Sequence, residues 1–275
     1  MWINIIDYRG DSTVINSRGD SLFAYRTKYF HKIQEDFYLW KQHGHKFRCF
    51  TQHENRNTFV DDYWAFDDVI KIPRSNAPQA RNHVHNFYPL DNWIGLWDND
   101  ATLYWDKLRS SEVPRDLEIL CSQADNQGIR AWVPFNAQQA PYPKKVPDDW
   151  TFKPTIQLKG TMTFVKTSSL RHNELQPSRD DVEYAFQLTL QGHKIGMLQQ
   201  ASLNELVCGK STVFKVNAYH EAYKKPGPGA NPNGLLQWDA QLDRIEQYAK
   251  ADAEWMNIYG ITLKDFAAKQ RELWK

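Results

Sequence analysis

The sequence predicts an α/β fold: a largely parallel, Rossmann-like sheet flanked by helices, followed by a C-terminal helical extension. Two observations carry this. Short apolar runs alternate with amphipathic stretches at helical spacing, the pattern of strands joined by helical crossovers. One run, Trp93 to Trp97, leads straight into two acids, Asp98 and Asp100. In parallel sheets, ligands gather at such carboxyl ends of strands.

Residues 2–7 read as a first buried strand without the basic flank of a signal peptide, followed by a polar loop holding Arg9 and Arg18. Phe23, Phe30, Ile33, Phe37 and Trp40 have helical spacing, so 22–42 is predicted as a helix, stopped by Gly44. Lys46 to Thr51 and Val69 to Ile72 are predicted strands, and 76–88 a helix beginning near Pro78. Residues 134–154, rich in Pro, Gln, Lys and Asp, read as an exposed connector. Residues 155–166 read as one bent strand or two short ones around Gly160. A helix over 180–191 stops at Gly192, and Ile195 to Leu198 and Val213 to Val216 are strand-like. Residues 224–234 form a Pro/Gly loop, and helices over about 238–258 and 262–273 close the chain, with Thr262 as N-cap. The expected division is a domain over 1–222, with 223–275 as loop and helices packed on it.

Composition narrows the function classes. A formal net charge of +1 produces no global field toward nucleic acid or membrane, although local patches remain open. Cys49, Cys121 and Cys208 are odd in number and outside any CxxC pair, which points to a reducing compartment. No apolar run approaches the ~20 residues of a membrane span, so a cytoplasmic protein is expected.

Three segments carry the chemistry. Alternate residues leaving a strand point the same way, so Asp98 and Asp100 can face one cation. Mg²⁺ or Mn²⁺ held by one or two carboxylates, with phosphates in the other positions, is a common way to bind a nucleotide diphosphate. A polar turn after a buried strand is the plainer alternative. Asp180-Asp181 opens a helix that ends in Gly192-His193-Lys194-Ile195, where acids also serve to cap the positive helix end. Ala80-Arg81-Asn82 lies upstream of the acidic strand, placing an Arg where it meets a pyrophosphate or stands as a surface charge.

Taken in order over roughly residues 1–205, these segments resemble the GT-A fold glycosyltransferases, especially the large family 2 type. The departures are Asp180 where Glu is usual, a rather polar loop after the first strand, and little likeness beyond residue 205. The resemblance implies a metal-dependent transferase using a nucleotide-diphospho-sugar, a UDP-sugar by preference. Asp98 and Asp100 would hold Mn²⁺ or Mg²⁺, with His220 as a candidate third ligand or else a surface residue beside Glu221. Asp181, next to Asp180, would be the general base. Arg9, Arg74 and Arg81 are candidates for phosphate contact. Trp97 and Trp105 flank the acids, with core packing the expected job of Trp97.

The resemblance also frames the acceptor. Small GT-A enzymes of bacteriophages glycosylate hydroxymethylated bases of double-stranded DNA, and a chain without targeting or membrane segments fits that group. The basic and aromatic runs 26–32, 41–48 and 224–225 suit such an acceptor, or are ordinary surface. A soluble glycan or protein acceptor is the alternative. A non-catalytic sugar- or nucleic-acid-binding protein on the same scaffold is a second alternative, against which the three acids speak. Gly209-Lys210-Ser211-Thr212 lacks the earlier Gly of a phosphate loop, because Asn204 stands there. His83 and His85 are two apart in a helix and make a poor metal pair. His43 and His45 read as loop residues.

Overall fold

The computed structural model describes residues 1–7, 37–51, 66–73, 75, 77–98, 101–136, 147–155, 158, 162–174, 180–205, 260 and 263–275. The first strands build outward from the middle of the sheet. β1 (Trp2–Asp7) pairs in parallel with β2 (Lys46–Thr51) on one side and with β4 (Trp93–Asp98) on the other. β3 (Asp68–Lys71) extends the sheet beyond β2, also in parallel. The order β3-β2-β1-β4 therefore reverses direction between β1 and β4. That reversal is the topological switch point of a doubly wound sheet. Ile6 lies opposite Asp98 in the register, so Asp98 stands at the carboxyl edge of this point.

Beyond β4 the sheet becomes mixed. β8 (Met162–Lys166) runs antiparallel to β4, and β6 (Ile129–Asn136) antiparallel to β8. β9 (Lys194–Glu205) lies parallel to β6 and also carries two antiparallel partners, β5 (Ala101–Leu108) and the short β7 (Phe152–Pro154). Four helices are described in full: α1 (Ala77–Phe87), α2 (Val113–Asn126), α3 (Asp180–Leu190) and α4 (Leu263–Leu273).

Period-two alternation sends neighbouring strand residues to opposite faces. Trp97 packs in one core with Ile3, Ile5, Phe37 and Trp40 of the helical residues 37–42, and Leu117 and Leu120 of α2. Its neighbour Leu96 packs in the other, with Ile6, Ala80 and Val84 of α1, Ala185 and Leu188 of α3, and Phe266 of α4. The result is three layers, helices on both faces of one sheet. The first core absorbs many of the aromatics: Trp132 stacks on Phe164 with centroids 4.1 Å apart, and Trp40 meets Trp97 edge-on at 4.9 Å. Packing density keeps β1 and β4 close. A Cβ on Gly95 would lie 2.7 Å from Ile3 Cδ1, so any side chain there would have to displace the end of Ile3.

Helix ends follow the glycines. Gly192 has φ +81°, with Gly192 N donating to Thr189 O at 2.9 Å and His193 N to Leu188 O at 3.0 Å, a Schellman termination of α3. Gly44, φ +78°, ends residues 37–42 through the corresponding bonds to Lys41 O and Trp40 O. α4 is fastened by Gln270, which is buried. Its amide donates to Thr189 Oγ1 (2.8 Å) and His193 O (2.7 Å) and accepts from Ile195 N (3.2 Å).

Several expectations shift. The predicted connector 134–154 holds the end of β6 and all of β7, and the strand expected over Ile195 to Leu198 is the longer β9. Within 155–166, the described strand is confined to β8. β5, α2 and most of β6 arise in a stretch where the sequence signalled no element. His43 and His45 do lie in the loop between residues 37–42 and β2, but His45 is buried there, its Nε2 2.6 Å from Pro114 O. The strand at Val213, the loop at 224–234, most of the helix over 22–42, the helix over 238–258 and the 222/223 boundary lie outside the described residues.

Asn4 ties β1 to β4 through a side chain that is fully buried. Its Nδ2 donates to Gly95 O at 3.1 Å, and its Oδ1 accepts from Tyr88 Oη at 2.6 Å. Asn4→Ala removes both bonds and leaves the Tyr88 hydroxyl with Arg48 alone, so it is expected to cost about 1–3 kcal/mol. Denaturant midpoints of the two proteins check this, with the wild-type slope retained.

Candidate functional site

α1 begins with Ala77-Pro78, a proline in the first turn where its missing N–H costs nothing. Ala80 and Val84, one turn apart, seat the helix on the sheet beside Ile6 and Leu96. The adjacent stripe, Arg81 and His85, is thereby pressed against the protein instead of reaching solvent. Arg81 is only 7 % exposed, and a buried guanidinium must be paired. Its Nη2 lies 3.7 Å from Oδ1 of Asp98, at the end of β4. Asp98 keeps about a third of its side chain in solvent, so it presents a carboxylate outward while holding the arginine.

Arg81 also lines a narrow crevice with Asp181 of α3, Leu96, Thr163, His172 and Tyr184. Three residues far apart in the chain, Arg81, Asp98 and Asp181, are thus drawn to one end of the sheet with Arg81 as the link. The crevice measures about 10 Å³, room for little more than a water molecule. It is a seam behind the acids, too small to hold a sugar or a nucleotide.

Asn82 supports this arrangement. Its amide pairs with the backbone of His172 in both directions, accepting from His172 N at 2.8 Å and donating to His172 O at 2.9 Å. It also donates to Glu174 Oε1 at 2.9 Å. The segment that leads toward Asp180-Asp181 is thereby pinned to α1. His172 stacks on Tyr184 with centroids 4.3 Å apart and planes 15° from parallel, and His85 packs against both rings. Burial pushes the Tyr184 phenol up to about 12. Burial, then the neighbouring His172, Arg171 and Arg81, holds His85 well below its ordinary value. His85 is therefore a neutral imidazole at pH 7, and neither ring nitrogen makes a hydrogen bond.

Of the residues the sequence singles out, Arg81, Asp98 and Asp181 come together. The side chain of Asp180 is not described, although its backbone opens α3. Arg9, Arg74, Asp100 and His220 lie outside the described residues, as does Trp105's side chain. Trp97 is a core residue, 1 % exposed. In the basic run 41–48, Lys41 pairs with Asp67 at 3.4 Å and Arg48 is buried, so two of its cations serve the fold. Thr163, His172 and Tyr184 were not foreseen. Tyr184 had a signal, since it stands three residues from Asp181 on one helix face. His172 had none.

The donor chemistry suits a hard divalent cation. Asp98 offers carboxylate oxygen at a solvent-facing strand end, and Arg81 sets a positive charge beside it. Among the described residues no cluster of three or more His, Cys, Asp or Glu forms by itself.

No protein-family model matches the chain, and no curated protein does either. Among solved structures, one similar chain is GalNAc-T7 crystallised with UDP, GalNAc and Mn²⁺, with a TM-score of 0.43 and 11 % identity. The likeness covers 94 % of this chain and 58 % of that one, so the chain spans little more than half of that neighbour's length. Another is CMP:2-keto-3-deoxy-manno-octonic acid synthetase complexed with CTP, with a TM-score of 0.37 and 13 % identity, covering 71 % of this chain and 87 % of that one.

The His85 environment predicts acid sensitivity. Its folded-state value lies below the unfolded one of 6.5, so below pH 6.5 the unfolded chain binds a proton the fold refuses. Stability from this group is full above that pH and falls as pH drops, by up to about 1.4 kcal/mol per pH unit. His45 and His193 are shifted the same way, by burial first, so the wild type alone does not isolate the effect. Melting temperatures of wild type and His85→Phe at pH 7.5 and 5.5 do: the variant is expected to lose less on acidification.

Proposed function

We propose that the protein is a metal-dependent glycosyltransferase that moves a sugar from a nucleotide-diphospho-sugar to an acceptor hydroxyl. The observation that supports it most is the meeting of Arg81, Asp98 and Asp181 at the carboxyl end of β4, beside the switch point of the sheet. Cation, metal-type carboxylate and a second carboxylate are the three charges such a transfer needs in one place.

In this reading Asp98 and Asp100, with His220, would hold Mn²⁺ or Mg²⁺, which would supply positive charge against the departing nucleotide diphosphate. Arg81 donates N–H bonds to a phosphate oxygen, joined by Arg9 and Arg74. Burial fixes Arg81 in place, so little ordering is required when the phosphate arrives. Asp181 takes the proton from the acceptor hydroxyl as that oxygen attacks the anomeric carbon. The anomeric C–O bond to phosphate breaks, and its electron pair leaves with the nucleotide. A single base on the attacking side implies inversion, with Asp180 beside it as the other acid of the pair.

For the acceptor we favour hydroxymethylated, or already glycosylated, bases of double-stranded phage DNA. The sequence resemblance supports this, together with the lack, among described residues, of any helix long and apolar enough to cross a membrane. A soluble glycan or protein acceptor keeps the same chemistry and is the other outcome of the test.

Purified protein is given UDP-sugars and Mn²⁺ with hydroxymethylated DNA, oligosaccharides or protein, and sugar transfer is followed by mass. Asp181→Asn is expected to lower transfer about 10²–10⁴-fold while donor binding persists. Asp98→Asn is expected to lose donor binding and transfer together. Transfer to glycan or protein alone moves the acceptor. No transfer to any of them, or full activity in both variants, overturns the reading.

A further inference from the structure

We propose that the cleft at the amino ends of β1 and β4 binds a planar ring ligand carrying a hydrogen-bond acceptor. The cleft lies at the opposite end of the strands from Asp98, and six-residue strands separate the two by roughly 16–20 Å. It is independent of the transfer reading.

The cleft encloses about 460 Å³ and is walled by Trp2, Arg48, Phe87, Tyr88, Asn92 and Trp93. That volume lies in the range of small-molecule sites, roughly 300–1,000 Å³, which are mostly apolar with a few placed polar groups. The placed group is Arg48. Its side chain is 9 % exposed, and its guanidinium lies 3.9 Å from the Trp2 ring centroid and 4.3 Å from that of Phe87. Nε donates to Asp68 at 2.8 Å and Nη1 to Tyr88 Oη at 2.6 Å, while Nη2 meets no acceptor among the described residues. A nine-tenths-buried arginine whose guanidinium lies over two aromatic rings thus keeps an N–H donor at a cleft wall. This geometry is rigid, because Tyr88 is itself anchored on Asn4.

The walls choose the ligand. Phe87 is 45 % exposed: it packs on Arg48, Phe50 and Tyr88, and the rest of its ring stands open. The Trp93 indole N–H is engaged by Asp125 Oδ2 at 3.1 Å, leaving the ring to act by stacking. Such rings favour a flat π system, by offset or edge-on contact. Asp68 already balances the Arg48 charge, so a multiply charged phosphate has no reason to enter. A single carbonyl or carboxylate acceptor is what Nη2 can satisfy. Nucleobases and aromatic acids share this chemistry.

The test uses the full chain with ¹⁵N-labelled tryptophan, the Trp2 and Trp93 indole signals being assigned by Trp→Phe substitution. Uridine, benzoate and glucose are titrated separately to about ten millimolar. A saturable shift of the Trp2 and Trp93 signals by uridine or benzoate, with Trp40, Trp97 and Trp132 unmoved, is expected. Whichever planar probe binds more tightly identifies the source. Phe87→Ala, at an exposed position, is expected to weaken binding about tenfold, and Arg48→Met to weaken uridine and benzoate alike by a similar factor. Response to glucose alone, no response to any probe, shifts that leave Trp2 and Trp93 unmoved, or wild-type binding by Phe87→Ala overturns the proposal.

Discussion

Burial of Arg81 is the constraint on which the site depends. Ala80 and Val84 must face the sheet for α1 to pack, and the next residue on that helix is then carried out of water with a full charge. An unpaired guanidinium there would cost several kcal/mol. Asp98 answers it at the end of β4, and the price is a carboxylate committed to the carboxyl edge of the sheet. One helix–sheet contact thus fixes a cation and an anion at the switch point before any ligand arrives.

The surroundings follow from the same docking. With α1 fixed, Asn82 next to Arg81 faces the segment around His172 and imitates a strand edge to hold it. That segment leads toward α3, and the His172–Tyr184 stack closes the seam between the two helices beneath Asp181. α4 adds weight from outside, since Phe266 meets Phe186 edge-on at 5.2 Å and Gln270 bridges α3 and β9. The opposite face of the sheet is aromatic and tightly filled. The two layers divide labour: one sets the sheet's shape, the other carries the charged groups.

Much of this was legible because it is local. The strands 2–7 and 93–97 announce themselves by apolar runs, and Gly44 and Gly192 by the left-handed conformation that ends a helix. That Arg81, Asp98 and Asp181 belong together was implied only by the resemblance, since each alone reads as readily as a surface charge, a turn acid or a helix-capping acid. What was hidden is long-range. β8 inserts antiparallel between β4 and β6, and nothing in 162–166 states its partners. Pro134 made the end of β6 read as loop, yet the strand tolerates it at a break in register between Pro134 and Phe135, the kind of irregularity that accommodates a missing N–H. Pro154 ends a three-residue edge strand for the same reason. The buried imidazoles at 85 and 172 are 87 positions apart, and no periodicity joins them.

The most direct measurement is the melting temperature of wild type and Asp98→Asn with UDP, with and without Mn²⁺. A ligand that binds only the folded state at a hundred times its Kd adds about 2.7 kcal/mol. A charged, metal-bridged diphosphate site at the end of β4 predicts a rise that needs both UDP and Mn²⁺ and disappears in Asp98→Asn. No rise in the wild type, or the same rise in the variant, contradicts a donor site built on Asp98.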